Sequence, residues 1–440
     1  MSSTPIASIS RVQITPSNQP SGGNYTFSGG TPSITLVIPA TDKLLRTSSL
    51  RINGKITVSN ADNNNSKGSG ASNVQLDPIL GVQSVFQTIN VASEASGQTL
   101  ESVRNYGRLC KTLMQNTHGI NDLMSGSVFN AANGLRASSG NLVNNKVAFS
   151  IPLLTGMFMG AQPLPIGPMG GLKITLELAS DQQVLSGTAA AASSPTYVLS
   201  DVHLSADLLV PATTGPQKMA IAEKGSIPFN SWSSLYSVVQ NSDSQISLNL
   251  ASAAALSIVH NFSPTAWQNA YSQDSFATDM LRTGVAGAGL AQLNKASFSR
   301  NGTKLKLDYD LDSQKASSES NPEVGVIINA LNSTRPFSQV TKLTPSTKSF
   351  MAPNDHTSFG GTAVPDRRTV PVKVRDADER AFSIGLALDN VSGVGLSFRG
   401  QQYGLRLQST LDGNSPNAVF SWVLQKDQLM YGPGGIQIMS

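Results

Sequence analysis

The stretch SDVHLSADLLVPA, Ser200 to Ala212, alternates with period two and then stops. Val202, Leu204, Ala206, Leu208 and Val210 fall on one side of the ladder, and Asp201, His203, Ser205 and Asp207 fall on the other. Pro211 ends the run because proline has no amide to give to a further strand pair. This reads as the closing strand of a folded unit, yet it comes before the middle of a 440-residue chain. A second closing strand, AVFSWVLQKDQLMYGPGG from Ala418 to Gly435, ends in Gly-Pro-Gly-Gly. A chain that closes twice builds two units, and a length of 440 residues agrees, since single cores stop growing at about 250–300 residues.

Between the two ends the alternation is that of half-buried strands. The first half holds Ile34-Leu36-Ile38, Leu50-Ile52-Ile56-Val58, Val147-Phe149-Ile151 and Leu172-Ile174-Leu176-Leu178. The second half holds Ile246-Leu248-Leu250, Leu256-Ile258-Phe262, Leu305-Leu307-Tyr309-Leu311, Phe382-Ile384-Leu386-Leu388 and Phe420-Trp422-Leu424. Runs with this period, separated by Asn/Asp/Ser/Gly turns such as 62–68, predict two β-sandwiches. One segment departs from the pattern: TLESVRNYGRLCKTLMQ, Thr99 to Gln115, carries Leu100, Val103, Tyr106, Cys110, Leu113 and Met114 at helical spacing. It predicts an amphipathic helix capped by Thr99, with Glu101 at its positive end and Gly107 packed closely against a neighbour.

The predicted organisation is an N-terminal arm over 1–30, a first sandwich over 31–212, a linker over 213–225 and a second sandwich over 226–440. A long loop insertion falls around 339–380. Within it, Pro365 to Arg380 holds five basic and four acidic residues. Such a self-neutralising segment suits a solvated loop or a contact between subunits better than an anion site.

Charge and motifs exclude several functions. Asp, Glu, Lys and Arg make up only 13% of the chain and the net charge is +4, about half the usual charged share of roughly 25%. The first thirty residues carry Arg11 as their only charge, so there is no basic arm and no direct nucleic-acid binding is expected. The single cysteine, Cys110, excludes an intrachain disulfide framework. The start MSSTPIASIS has neither a basic region nor an apolar core of a secretion signal. The uncharged run Ile151 to Leu172 contains four prolines and five glycines, so it predicts a buried irregular loop and not a membrane helix.

No nucleophile elbow, zincin, phosphate loop or zinc-binding cysteine pair is present. Gly284 to Gly289 lacks dinucleotide-binding spacing and reads as a loop. His260 shares an apolar ladder face and reads as a hydrogen-bonded core histidine, while His203 reads as solvated. Asp308, Asp310, Asp312 and Glu319 have the carboxylate spacing of a calcium loop. Ser313 stands where such a loop needs glycine, Lys315 stands where it needs an apolar residue, and the flanks alternate as strand; an acidic outer strand face is the expected reading. The expected site list is therefore empty: no catalytic, cofactor-binding or metal-binding residue, no cofactor, and no enzyme activity.

Four stretches, in order, resemble the double jelly-roll major capsid proteins of icosahedral DNA viruses, in particular those of polinton-like viruses and virophages. They are DPILGVQSVFQTINVASEASGQTLESVRNYGRLCKTLMQNT, FSIPLLTGMFMGAQPLPIGPMGGLKITLELASD, YVLSDVHLSADLLV and SQISLNLASAAALSIVHNF. The middle of the second half, Leu281 to Arg380, has no counterpart in that resemblance. The likeness implies two consecutive eight-stranded jelly rolls, an all-β fold with a short helix between strands of the first. It implies a chain that assembles as pseudo-hexameric homotrimers tiling a virion shell. The partners it implies are other copies, penton and minor capsid proteins, and an internal membrane; the N-terminal arm, charged only at Arg11, would reach beneath a neighbouring subunit or toward that membrane. Tandem sandwiches also serve as glycan-binding or appendage modules, which need exposed aromatic platforms, and as carbohydrate-active enzymes, which need two carboxylates across a cleft.

Overall fold

The computed structural model describes residues 6–59, 76–77, 80–117, 146–160, 163–185, 194–211, 225–271, 275–276, 293–305, 309–310, 383–388, 395–409, 416–432 and 435–439. The calcium-like stretch apart from Tyr309–Asp310, the glycine run 284–289, the linker 213–225 apart from Gly225 and the insertion 339–380 lie outside the described residues.

In the first half the strands are β1 (Ile6–Ile14), β2 (Asn24–Tyr25), β3 (Ser33–Ile38), β4 (Leu44–Ser59), β5 (Phe86–Ser93) and β6 (Thr99–Arg104). After the helix α1 (Tyr106–Thr117) come β7 (Val147–Pro152), β8 (Leu164–Pro165), β9 (Leu172–Leu178), the helical turn α2 (Asp181–Val184) and β10 (Thr196–Pro211). They form two antiparallel sheets, ordered β1-β10-β4-β7 and β3-β9-β5-β6, with β2 on β10 and β8 on β4.

The second half holds β11 (Gly225–Val239), β12 (Asp243–Asn249), β13 (Ala255–Pro264), β14 (Leu293–Arg300), β15 (Thr303–Lys304) and β16 (Tyr309–Asp310). These are followed by β17 (Ser383–Ala387), β18 (Gln402–Ser409), β19 (Asn417–Gly432) and β20 (Gly435–Met439). Their sheets run β11-β19-β13-β17 and β12-β18-β14-β15, with β20 on β19 and β16 on β14. With the two-residue β2 and the C-terminal β20 set aside, the order is the same in both halves: first strand beside last, third beside last, second beside next-to-last. That is the jelly roll, built twice.

The inward faces follow the expected alternation. Ile34, Leu36, Ile38, Leu50, Ile52, Ile56, Val58, Ile174 and Leu176 are all at most 2% exposed in the first core. Ile258, Phe262, Phe298, Leu405, Val419 and Val423 fill the second. The proline-rich segment after β7 is the predicted irregular loop: Leu153, Leu154, Met157, Phe158, Leu164, Ile166 and Met169 are buried without forming regular structure beyond the short β8. Among the described residues no helix is long and apolar enough to cross a membrane.

Three expectations change. The helix predicted over 99–115 is a strand followed by a helix, and Thr99 caps nothing. TLESVR pairs with β5, Ile89 opposite Val103 and Val91 opposite Glu101. Asn105 then adopts φ 54° and its carbonyl accepts from the Arg108 and Leu109 amides, which starts the helix. Leu100 and Val103 satisfy a short helical window, but an available pairing partner decides the conformation.

Residues 1–30 are not a free arm over their described part. β1 pairs with β10 from Ile6↔Pro211 to Ile14↔Leu204, and β2 pairs with it at Tyr25↔Leu199.

The closing strand β10 also slips. Asp201 has φ 54°, and the register against β4 shifts between Ser200 and His203 and again between Ser205 and Asp207. Val202, Leu204, Ala206 and Leu208 are buried as expected, but Leu209 is buried and Val210 only half-buried. Asp207, expected on a solvated face, is itself buried and accepts from Arg11 Nε at 2.9 Å.

Candidate functional site: the junction between the two rolls

No described group of His, Cys, Asp or Glu is arranged to hold a metal ion. The polar chemistry of the described chain concentrates instead where the rolls meet. In the β11-β19-β13-β17 sheet, β13 and the first half of β19 are buried on both faces. Along β19, Val419 and Val423 point into the second core, while Ala418, Phe420, Trp422 and Leu424 pack into the core that continues from the first roll. Val259 of β13 and Trp232 of β11 join them there. This explains why AVFSWVL is apolar at every position but Ser421, whose hydroxyl meets His260: a strand covered on both sides has no polar face to alternate with.

From the first roll, β6 and α1 supply the opposing surface. α1 buries Tyr106, Leu109, Cys110 and Leu113, and the Leu154 amide donates to the Tyr106 hydroxyl at 2.8 Å. Arg108 reaches across. Its guanidinium lies 4.2 Å from the Phe420 ring centre and 5.7 Å from that of Phe276, and it donates to Ser263 Oγ and to the Ser275 carbonyl. Stacking a planar cation on aromatic faces suits its delocalised charge. One turn on, Lys111 Nζ meets Asp77 Oδ2 at 2.6 Å, and Asp77 Oδ1 accepts from the Leu80 amide. Gly107 is required here, because a Cβ would lie 2.8 Å from the Phe276 ring. The close approach anticipated at that glycine is made by a residue of the second roll.

β6 and β11 are the outer strands of their sheets, but side chains and not a backbone ladder join them. Glu101 is 3% exposed. Its Oε1 accepts from the Trp232 amide of β11 at 2.8 Å and from the Gly156 amide at 2.8 Å, and its Oε2 accepts from the Met157 amide at 2.9 Å. One carboxylate thus ties the irregular loop and the second roll to β6. Burial pushes its pKa up to about 7, against the pull of these donors. The Arg104 amide donates to Ser234 Oγ at 3.0 Å, and Trp422 Nε1 donates to the Arg104 carbonyl at 3.1 Å. At Gly156 the two chains of backbone touch: a Cβ there would stand 2.6 Å from the Asn230 carbonyl oxygen and 2.7 Å from Ser231 Cα.

The histidines fall as expected where described. His260 is fully buried, with Nδ1 2.7 Å from Ser421 Oγ and Nε2 2.9 Å from the Tyr403 hydroxyl. Desolvation lowers its pKa to about 3. His203 sits half-exposed beside the Asp201 carbonyl. The Cys110 thiol is buried and its pKa is raised by burial.

Sequence reasoning did not find Glu101 and Arg108 as junction residues. The largely apolar run of β19 was a signal for the partner surface, while Glu101, within the mostly polar TLESVR, offered none. Arg108, on a helix, had none.

Two jelly rolls of one strand order, fused through a buried junction, constitute the double jelly-roll fold. Solved structures share it. VP54 of PBCV-1, as fitted into a reconstruction of the Sputnik virophage, superposes with a TM-score of 0.57 at 11% identity, over 98% of this chain and 96% of that one. The PBCV-1 virus capsid gives 0.54 at 13% identity, over 98% and 96%. The Sputnik virophage structure gives 0.55 at 11% identity, over 99% and 88%. No protein-family model matches the chain, and no curated protein matches its sequence.

Proposed function

We propose that this chain is a major capsid protein that self-assembles as a pseudo-hexameric homotrimer and tiles an icosahedral virion shell. The observation that carries this reading is the junction: two rolls of the same strand order are joined by buried contacts of Glu101, Arg108, Trp232 and Trp422. Three such pairs present six similar faces, and a firm join between rolls is what a tiling block requires. The likeness to capsid structures over nearly the whole chain supports it. The domain division that accompanies the reading is a first unit ending at Pro211 and a second beginning at Gly225, with the insertion 339–380 in the second.

The role is structural and the working surfaces are contacts between copies, with penton and minor capsid proteins as further partners. Low charge allows many copies to stand side by side without mutual repulsion. The glycan-binding alternative draws no support from Trp232 and Trp422, which are buried.

The test is the mass of the purified chain in solution. A species of three times 46.2 kDa, and closed particles in negative stain, are expected; a monomer at micromolar concentration that forms no particles overturns the reading.

A further inference from the structure

The ion pairs Arg11–Asp207, Lys55–Asp201 and Arg406–Asp243 each keep at least one side chain more than half in solvent. Lys111–Asp77 is different. Its side chains are 2% and 0% exposed, and Nζ stands 2.6 Å from Oδ2. The residues that flank the two in sequence, Leu76, Leu80, Cys110 and Leu113, are buried as well. Lys111 is fixed on α1, one turn beyond the Arg108 that stacks on Phe420. Asp77 is fixed by the Leu80 amide, which donates to Oδ1 at 2.8 Å.

A lysine and a carboxylate so placed are the two halves of an amide. Burying two charges is costly, and passing one proton from Nζ to Oδ2 removes both charges at once, leaving an amine against a carboxylic acid. The nitrogen then faces the carboxyl group across a hydrogen-bond distance, in a site closed to bulk solvent. The Leu80 N–H already points at Oδ1, the oxygen that gains negative charge when nitrogen adds to the carbon. Groups held in reacting geometry reach effective concentrations of about 10⁵–10⁸ M. That is the advantage a buried pair has over a free amine and a free acid in water, which do not condense.

We propose that Lys111 and Asp77 condense into an intramolecular isopeptide bond. Nζ bonds to Cγ, the Cγ–Oδ2 bond breaks, and the two protons given up by Nζ leave with Oδ2 as water. No oxidant, reductant or further reactant takes part. The bond closes residues 77–111, with β5, β6 and the start of α1 between them, into a covalent ring. It fastens the helix that carries Arg108, and with it one side of the junction. A chain with a single cysteine has no intrachain disulfide to serve as such a staple. Lys55 and Asp201, 2.8 Å apart but exposed, do not react, because water solvates both charges. The bond forms within one chain and does not depend on assembly.

The test is the intact mass of the full-length chain, purified folded and then denatured, followed by tryptic mapping. The expected mass is lower than that of the sequence by one water. Trypsin is expected to release Gly68–Arg104 joined to Leu109–Arg136, with cleavage after Lys111 blocked. Lys111→Met and Asp77→Ala are each expected to show their full sequence mass and to release Gly68–Arg104 by itself, whereas Lys55→Met keeps the loss of water. Wild type at its full sequence mass, cleaved after Lys111, overturns the bond. So does a loss of water without the joined peptide, which marks a succinimide at another residue. The wild-type measurement decides the matter alone, so a variant that fails to fold does not obscure it.

Discussion

Replacing Gly156 by alanine tests how tightly the two rolls are joined. Gly156 is not among the glycines with positive φ, so alanine suffers no backbone strain there and slightly stiffens the unfolded chain, a gain of about 0.4–1 kcal/mol. The new methyl, however, stands 2.6 Å from the Asn230 carbonyl oxygen, 2.7 Å from Ser231 Cα and 2.8 Å from the Asn230 carbonyl carbon. Ordinary contact begins at 3.4 Å, so roll and loop must part by nearly an ångström. Neither side yields easily. Asn230 and Ser231 are locked in the β11–β19 ladder, paired residue by residue from Gly225 to Val239.

Overpacking of this kind costs about 1–3 kcal/mol. The displacement also stretches the Gly156 and Trp232 bonds to Glu101, both 2.8 Å, at about 1 kcal/mol for each bond weakened. The net is a loss of about 2–4 kcal/mol. For a cooperative unit the size of one roll this lowers the melting temperature by about 5–12 °C, read by scanning calorimetry and by tryptophan fluorescence. Gly160→Ala in the same loop is the control, since its Cβ would meet nothing closer than 3.4 Å. If the two variants melt together within about a degree of wild type, a shift too small for the clash described, the rolls are not in backbone contact at Gly156 and the reasoning fails.

Glu101→Gln probes the same junction through pH. The folded-state pKa of about 7 lies above the ordinary 4.5, so the folded form binds the proton more tightly. Its contribution is fully present below pH 4.5 and is lost as pH rises to about 7, at about 1.4 kcal/mol per pH unit; wild type should lose stability relative to the glutamine variant over that window. Melting curves at pH 5, 6, 7 and 8 that run parallel for the two proteins refute it.

His260 works in the opposite sense. Its pKa is lowered to about 3, so its contribution is lost as pH falls from 6.5 toward 3. His260→Ala should cost about 3 kcal/mol by orphaning the Ser421 and Tyr403 hydroxyls and leaving a cavity, measured by urea unfolding; a cost under 1 kcal/mol sinks the buried network.

Leu208→Asp places an unpaired carboxylate in the first core and should abolish soluble protein, at a cost of several kcal/mol. Asp207→Asn removes the charge facing Arg11 and should cost about 0.5–1 kcal/mol, because that arginine is mostly in solvent. Equal behaviour of the pair in a solubility and melting assay would refute the assignment of the strand's faces.

Much of this fold was readable from local pattern because a half-buried strand writes its environment into its own side chains. Ile34-Leu36-Ile38 and Leu172-Ile174-Leu176-Leu178 could form little else, and two proline- or glycine-closed final strands in 440 residues demanded two units. His260 announced itself by sitting on an apolar face. The readings that failed were those where two local descriptions were equally good. Leu100 and Val103 fit a helix and a strand alike, and the β5 partner chose between them. In Ile6–Ile14 the apolar residues fall on both faces, Ile9 opposite to Val12 and Ile14, so the segment does not declare a strand by itself, and β10 made it one.

The junction was the least legible part. Nothing local distinguishes Glu101 at a helix start from Glu101 as a buried acceptor for amides at positions 156, 157 and 232, since those donors lie 55 to 131 residues away along the chain. Local sequence determined that this chain makes two antiparallel sandwiches with weakly charged surfaces. Only the tertiary structure decided that the sandwiches stand locked against each other, because that lock consists of hydrogen bonds and ring contacts between residues whose proximity exists only once both are folded.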